Sequence, residues 1–139
     1  MDSLEETNIV RICNDLIVRY THFADLGEIH RIPELFTDDG IWATPTEEHV
    51  GQEALRRRFE SSVGIERVTR HVCSNVLVEV ISSDEATAVV YLTLYKHDGP
   101  IDGPAPITAP LKIGQYRDRL VRRDAGWRFA ERRCSFAFA

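Results

Sequence analysis

Along the first 26 residues the apolar positions Ile9, Ile12, Leu16, Ile17, Tyr20, Phe23 and Ala24 recur at helical spacing, predicting a long amphipathic helix from Ser3 to about Leu26. Ser3, three residues before Glu6, reads as a capping box, and Gly27 as the stop. A shorter helix is expected over Glu28 to Phe36 with a break at Pro33. Thr37-Asp38-Asp39-Gly40 then reads as a turn before a short strand, Ile41 to Thr44. A third helix is predicted over Gly51 to Ser62, with Ala54, Leu55 and Phe59 on its apolar side.

Past Gly64 the period changes from helix to strand. Four strands are predicted: Thr69 to Val80, Ala86 to Lys96, Leu111 to Arg122 and Trp127 to Phe138. Ser82-Ser83-Asp84-Glu85 and Arg123-Asp124-Ala125-Gly126 have the chemistry of hairpin turns. Helices followed by an antiparallel meander predict one α+β domain over residues 1–139, its helices packed on one face of a strongly curved antiparallel sheet. Both faces of Ala86 to Lys96 are apolar, with Val89, Tyr91 and Tyr95 opposite Ala88, Val90, Leu92 and Leu94. A second covering layer is therefore expected, and a homo-oligomer would supply it. Residues 97–110 hold four of the six prolines and are long for a hairpin, as in a semi-rigid lid or interface arm.

The strand Thr69 to Val80 carries the residue best suited to acid or base chemistry. Val76, Val78 and Val80 share one face by alternation, whereas His71 and Cys73 fall in the other phase. A one-residue bulge between them would bring histidine and valines to the same buried side. Histidine titrates near neutrality, so in an apolar pocket it suits general acid–base work. The competing reading is a core or edge histidine satisfied by a backbone carbonyl. Asn75 offers a hydrogen bond either to a substrate oxygen or to backbone freed by the bulge, and Cys73 reads as a structural thiol, since i,i+2 neighbours on a strand lie about 7 Å apart.

Composition narrows the function classes. The 139 residues are 43% hydrophobic, enough for a core, and the net charge of −5 with basic residues scattered among acidic ones argues against nucleic acid as a partner and for a small molecule. The run Arg56-Arg57-Arg58 spreads around a helix and reads as a solvated face. Cys13, Cys73 and Cys134 are too few and too separated for a zinc cluster, and point to reduced thiols in the cytoplasm. His22, His30, His49 and His97 show no ligand spacing, so no metal is expected. No apolar run approaches the roughly 20 residues needed to cross a bilayer, and the acidic start Met1-Asp2-Ser3-Leu4-Glu5-Glu6 is unlike a signal peptide; no membrane association is expected.

Taken in order, Tyr20-x4-Asp25-x-Gly27, Leu35-Phe36-Thr37-Asp38-Asp39-Gly40, Gly51-x-Glu53-Ala54-Leu55, Arg70-His71-x3-Asn75, Gly114-x-Tyr116-x-Asp118-x-Leu120-x-Arg122 and Gly126-Trp127-Arg128 resemble the SnoaL-like family. That family belongs to the superfamily of nuclear transport factor 2-like, cystatin-like cone folds. The branch most resembled is that of scytalone dehydratase and bile-acid 7α-dehydratase. The resemblance implies a tyrosine and an aspartate from the first helix meeting a strand histidine inside the cone, here Tyr20, Asp25 and His71. It supplies no counterpart for the second scytalone-type histidine or for the later aspartate of the bile-acid enzyme. Helical geometry sits uneasily with the aspartate: Asp25 lies about 140° around the helix from Tyr20, off the apolar stripe unless the last turn loosens.

The resemblance thus implies a cofactor-independent lyase or isomerase of dehydratase type, acting on a small hydrophobic cyclic substrate. His71 would move a proton next to a carbonyl, Asp25 would orient the imidazole, and Tyr20 would donate to a developing oxyanion or leaving hydroxyl. Trp42, Phe36, Phe59, Asn75, Tyr91, Tyr116 and Phe129 are the candidate substrate-binding residues. Tyr116 and Asp118 share a strand phase with Gly114 and either line the cone or decorate an exposed side. Two other readings stand beside the enzyme: a non-catalytic ligand-binding or assembly module of the same fold, and a small subunit accompanying an aromatic-ring oxygenase.

Overall fold

A computed structural model describes all of residues 1–139. Helix α1, Ser3–Asp25, buries Ile9, Cys13, Leu16, Ile17, Tyr20 and Phe23, the stripe expected from the 3.6-residue period. Its cap is Asp2, whose side chain accepts from the Glu5 amide at 2.8 Å, in place of the expected Ser3–Glu6 box. Ile29–Leu35 winds as a 3₁₀ helix around Pro33, the residue expected to break an α-helix there.

Strand β1 is Phe36–Ala43, β2 is Glu48–Val50, and helix α2 is Gln52–Glu60. The segment Thr37–Gly40, expected as a turn, is the first half of β1, and β2 was not foreseen. Only Ile41–Ala43 of β1 are paired on both sides, with β2 and with β6; Thr37–Gly40 fall in the register break between Phe36 and Ile41, a bulged stretch held within the strand by the pairing at its two ends. The Gln52 side-chain amide donates to the carbonyl oxygens of Pro33, Phe36 and Thr37 at 2.8, 3.1 and 3.3 Å, tying α2 to the start of β1.

The four long strands follow as β3 Arg67–Ser82, β4 Glu85–Asp98, β5 Lys112–Arg123 and β6 Gly126–Phe138, each within a few residues of its predicted span. The sheet order is β2-β1-β6-β5-β4-β3. All neighbours are antiparallel except β1 and β6, which are parallel, so the sheet is mixed and open where a wholly antiparallel one was expected. Parallel pairing needs a long connection, here everything from β2 to β5, and no short-range pattern announces it.

Register fixes what faces inward. Strand β3 shifts against β4 between Ser74 and Leu77, with Asn75 at φ 49°, the one non-glycine residue of the chain in the left-handed region. Beyond this bulge Val76, Val78 and Val80 pack on the core. Before it Cys73 does the same and His71 points to the same side. Along the inner face the residues form rows across the sheet. From the closed end these are Ala88–Asp118–Arg132, Val90–Tyr116–Cys134, Cys73–Leu92–Gly114–Phe136, His71–Leu94–Lys112, Thr69–Lys96 and Arg67–Asp98. In the third row a Cβ on Gly114 would stand 2.0 Å from the Ser135 carbonyl oxygen, so only glycine lets β5 and β6 approach there. The helices and the inner face enclose a core of 21 residues, dense at the Arg132 end and open at the Arg67 end.

Candidate active site

The open end of the cone is a cavity of about 500 Å³, within the roughly 300–1,000 Å³ range of small-molecule sites. Half of its 28 lining residues are hydrophobic, which suits a ligand with an apolar body and a few polar groups.

Asp25 is the last residue of α1, and its side chain is only 8% exposed. It does lie off the helix's apolar stripe, as its angular position requires. It nonetheless faces protein, because the edge strand β3 curls alongside the end of α1. Its carboxylate accepts from the Thr69 hydroxyl at 2.8 Å, the His71 backbone N–H at 2.9 Å and His71 Nδ1 at 2.6 Å. Burial pushes the carboxyl up, but the hydrogen bonds from His71 and Thr69 and the imidazole charge outweigh it, and the net shift is downward from the ordinary aspartate value. An ionised Asp25 places the imidazole proton on Nδ1. In the neutral imidazole that tautomer leaves a lone pair on Nε2, which has no partner in the protein, and the residue lines the cavity. Main chain and side chain of His71 are thus held by one carboxylate, and the imidazole has little freedom to turn.

Tyr20, one and a half turns before Asp25, reaches the cavity from the apolar stripe itself. Its hydroxyl oxygen accepts from Trp42 Nε1 at 2.9 Å. Burial pushes the phenol up to about 12, against the pull of the nearby Arg132 cation, so Tyr20 remains a proton donor across the working pH range. With one lone pair engaged by the indole, its O–H is available to a bound ligand.

Sequence reasoning missed Arg132. It is fully buried beneath the tyrosines, its guanidinium carbon 3.6 Å from the Tyr116 ring centroid, 4.3 Å from that of Tyr20 and 4.8 Å from that of Phe129. Nε donates to Asp118 Oδ1 at 3.0 Å, while both terminal nitrogens and Asp118 Oδ2 lack partners. Burial pushes Asp118 up to about 6, against the pull of Arg132. The signal was present in the sequence: Arg132 falls in the inward phase of its strand with Cys134 and Phe136, and a charge in an inward phase needs a partner, which Asp118 provides. A fixed cation behind two tyrosine rings favours negative charge in front of them.

Of the expected substrate-binding residues, Trp42, Phe59 and Tyr116 line the cavity, with the Trp42 and Phe59 rings edge to face at 5.1 Å. The other four do not. Phe36 and Phe129 are 3% and 0% exposed and belong to the solid core, their ring centroids 5.3 Å apart. Asn75 is exposed at the bulge, and Tyr91, 53% exposed, stands on the outer face of the sheet. Strand phase on its own does not fix which side of a sheet is inner, and the bulge inverts that phase halfway along β3. The three cysteines are free thiols, and no group of three His, Cys, Asp or Glu side chains is placed to hold a metal ion.

At the mouth, Glu47 Oε1 accepts from Arg58 Nε at 2.5 Å and lies 2.9 Å from His49 Nε2, and the Arg58 guanidinium stacks on Trp42 at 5.0 Å. Arg67 and Lys96 share Asp98 at 2.5 and 3.4 Å. No helix is long and apolar enough to cross a membrane.

None of the curated proteins matches the chain by sequence. Among solved structures, it superposes on a candidate scytalone dehydratase from Novosphingobium aromaticivorans with a TM-score of 0.83 at 19% identity, covering 99% of this chain and 89% of that one. A type 2 hexachlorocyclohexane dehydrochlorinase (LinA) gives a TM-score of 0.80 at 15% identity, covering 99% and 90%. An NTF2-like protein with a cystatin-like fold, again from Novosphingobium aromaticivorans, gives 0.71 at 21% identity, covering 98% and 90%. At these identities the likeness is one of fold. The model of the SnoaL-like domain matches residues 5–133, and with the cone, its order of strands and its inward histidine already described, the chain belongs to the SnoaL-like family.

Proposed function

We propose that the protein is a cofactor-independent lyase or isomerase that takes a small hydrophobic cyclic substrate into the cone and moves a proton from a carbon next to a carbonyl. The observation that carries this reading is the Asp25–His71 pair: Nδ1 is locked at 2.6 Å to a buried carboxylate, and Nε2 is unpartnered in a cavity of about 500 Å³.

In an elimination His71 Nε2 takes the proton, the C–H electron pair becomes the new C=C bond, and the leaving group departs with its bonding electrons. Tyr20 donates its hydroxyl proton to a departing hydroxyl or hydrogen-bonds the carbonyl oxygen as it gains charge. Asp25 balances the imidazolium that forms. Arg132 favours the charge developing in front of the Tyr20 ring without touching the ligand. In an isomerisation the same imidazole returns its proton to a second carbon. The fold likenesses to a candidate dehydratase and to a dehydrochlorinase fit this chemistry, since both names describe loss of HX across adjacent carbons.

The test is conjugated-enone formation from cyclic β-hydroxyketones and β,γ-unsaturated ketones, followed by ultraviolet absorbance. His71→Ala should lose about 10²- to 10⁴-fold of the turnover while retaining its fold. Unchanged turnover in His71→Ala would remove the mechanism, and a wild type that binds these ketones without converting them would favour a ligand-binding module of the same fold.

A further inference from the structure

The cavity reverses the charge balance of the chain. Overall 22 acidic residues outnumber 17 Lys and Arg, yet four cations, Arg58, Arg67, Lys96 and Lys112, line the cavity against two carboxylates, Asp25 and Glu47. Asp25 is taken by His71 and Glu47 by Arg58 and His49, while Asp98 is shared between Arg67 and Lys96. Lys112 forms no ion pair, and its ammonium lies 4.4 Å from the centroid of the Phe136 ring. A half-buried ammonium held over an aromatic face, in a lining whose carboxylates are all engaged elsewhere, lacks a counter-charge.

Its position relative to the proposed base is set by the sheet. His71 pairs with Leu94 and Leu94 with Lys112, so the three occupy one row on the inner face. Two strand spacings separate His71 from Lys112, roughly 10 Å between their backbones. Lys96 lies one row further toward the mouth, beside Thr69.

Resting on the reading of His71 as the base, we propose that the substrate is an acid: a hydrophobic cyclic molecule carrying a carboxylate that Lys112 binds, with Lys96 and Arg67 adding positive potential at the mouth. The carboxylate is anchored across the cone and the reacting carbon is presented to His71 Nε2. Such an anchor selects acids over neutral analogues and fixes the end of the substrate that meets the base.

The test compares two probes of one shape, 1-naphthaleneacetate and its uncharged amide 1-naphthaleneacetamide, by calorimetry and by quenching of tryptophan fluorescence. The wild type should bind the acid about tenfold more tightly, with the preference shrinking as salt is raised. Lys112→Met, which keeps the apolar stem, should abolish the preference and leave binding of the amide unchanged, and Lys112→Arg should restore it. Equal affinity for the two probes in the wild type, failure to bind either, or a preference that survives Lys112→Met would each overturn the proposal. A lost preference with intact His71-dependent turnover would remove the acid anchor and leave the proton-transfer reading standing.

Discussion

The indole N–H of Trp42 donates to the hydroxyl oxygen of Tyr20 over 2.9 Å, joining a residue of β1 to one of α1 inside the cone. This bond makes Trp42 a positioning residue: it engages one lone pair of the phenol and leaves the O–H to the ligand. Trp42→Phe retains an aromatic ring against Phe59 but loses the donor. Turnover is expected to fall about 3- to 30-fold and stability by about 1–2 kcal/mol. Tyr20→Phe should lose turnover as well, and adding Trp42→Phe to it should cost little more; additive losses in the double variant would show that Trp42 does not act through Tyr20.

Asp25 holds three donors and has a carboxyl pulled below its ordinary value. A depressed folded-state value stabilises the protein above the unfolded-state value of about 3.9, and that contribution is lost as pH falls through the folded value. Asp25→Asn should therefore be less stable than wild type at pH 7, and the gap should begin to narrow below about pH 4 as pH falls toward the folded value. Urea denaturation at pH 7 and at successively lower pH below about 4 measures both. The variant should also lose activity with an altered pH profile, since the imidazolium formed in the reaction has lost its counter-charge.

Arg132 and Asp118 respond to pH in the opposite sense. Asp118 is raised to about 6, so the native state binds its proton before the unfolded chain does, and this group's contribution to stability declines as pH rises from about 4 through 6. Arg132→Met removes the only opposing cation and extends the decline to higher pH. The variant should be destabilised by about 3–5 kcal/mol at pH 8 and by clearly less at pH 5, where proton uptake neutralises the buried carboxyl. Thermal melts across that range test it; a pH-independent loss would assign the effect to packing alone.

The outer face of the sheet predicts self-association. Two adjacent rows there, Val72–Thr93–Ile113–Phe138 and Ser74–Tyr91–Gln115–Ser135, carry no charge, and Tyr95 lies close by in the next. Val72, Tyr91, Ile113 and Phe138 are 48, 53, 36 and 69% exposed. A charge-free strip of apolar and uncharged polar side chains can meet its own copy without like-charge repulsion, so we propose a homodimer through this face. Sedimentation should show a dimer at micromolar concentration, and Tyr91→Glu should shift it to monomer without lowering turnover.

Elements and one face of most of them were legible in the chain because they depend on local period. The α1 stripe from Ile9 to Phe23 and the four long strands needed only spacing. His71 stood out by its chemistry, and the bulge beside it followed from the phase conflict with Val76, Val78 and Val80. Tertiary structure decided whatever depends on two distant segments meeting. Parallel pairing of β1 with β6 at Phe36 and again from Ile41 onward held Thr37–Gly40 between them as a bulge within one strand. The curl of β3 around the end of α1 placed a carboxylate that helical geometry puts off the core stripe within 2.6 Å of the imidazole. Packing of the helices against the open sheet put Phe36 and Phe129 in solid core and not in the cavity wall, and set Arg132 and Asp118 beneath the tyrosines. Spacing along a chain determines which way a side chain leaves its own element; only packing between elements determines what it meets there.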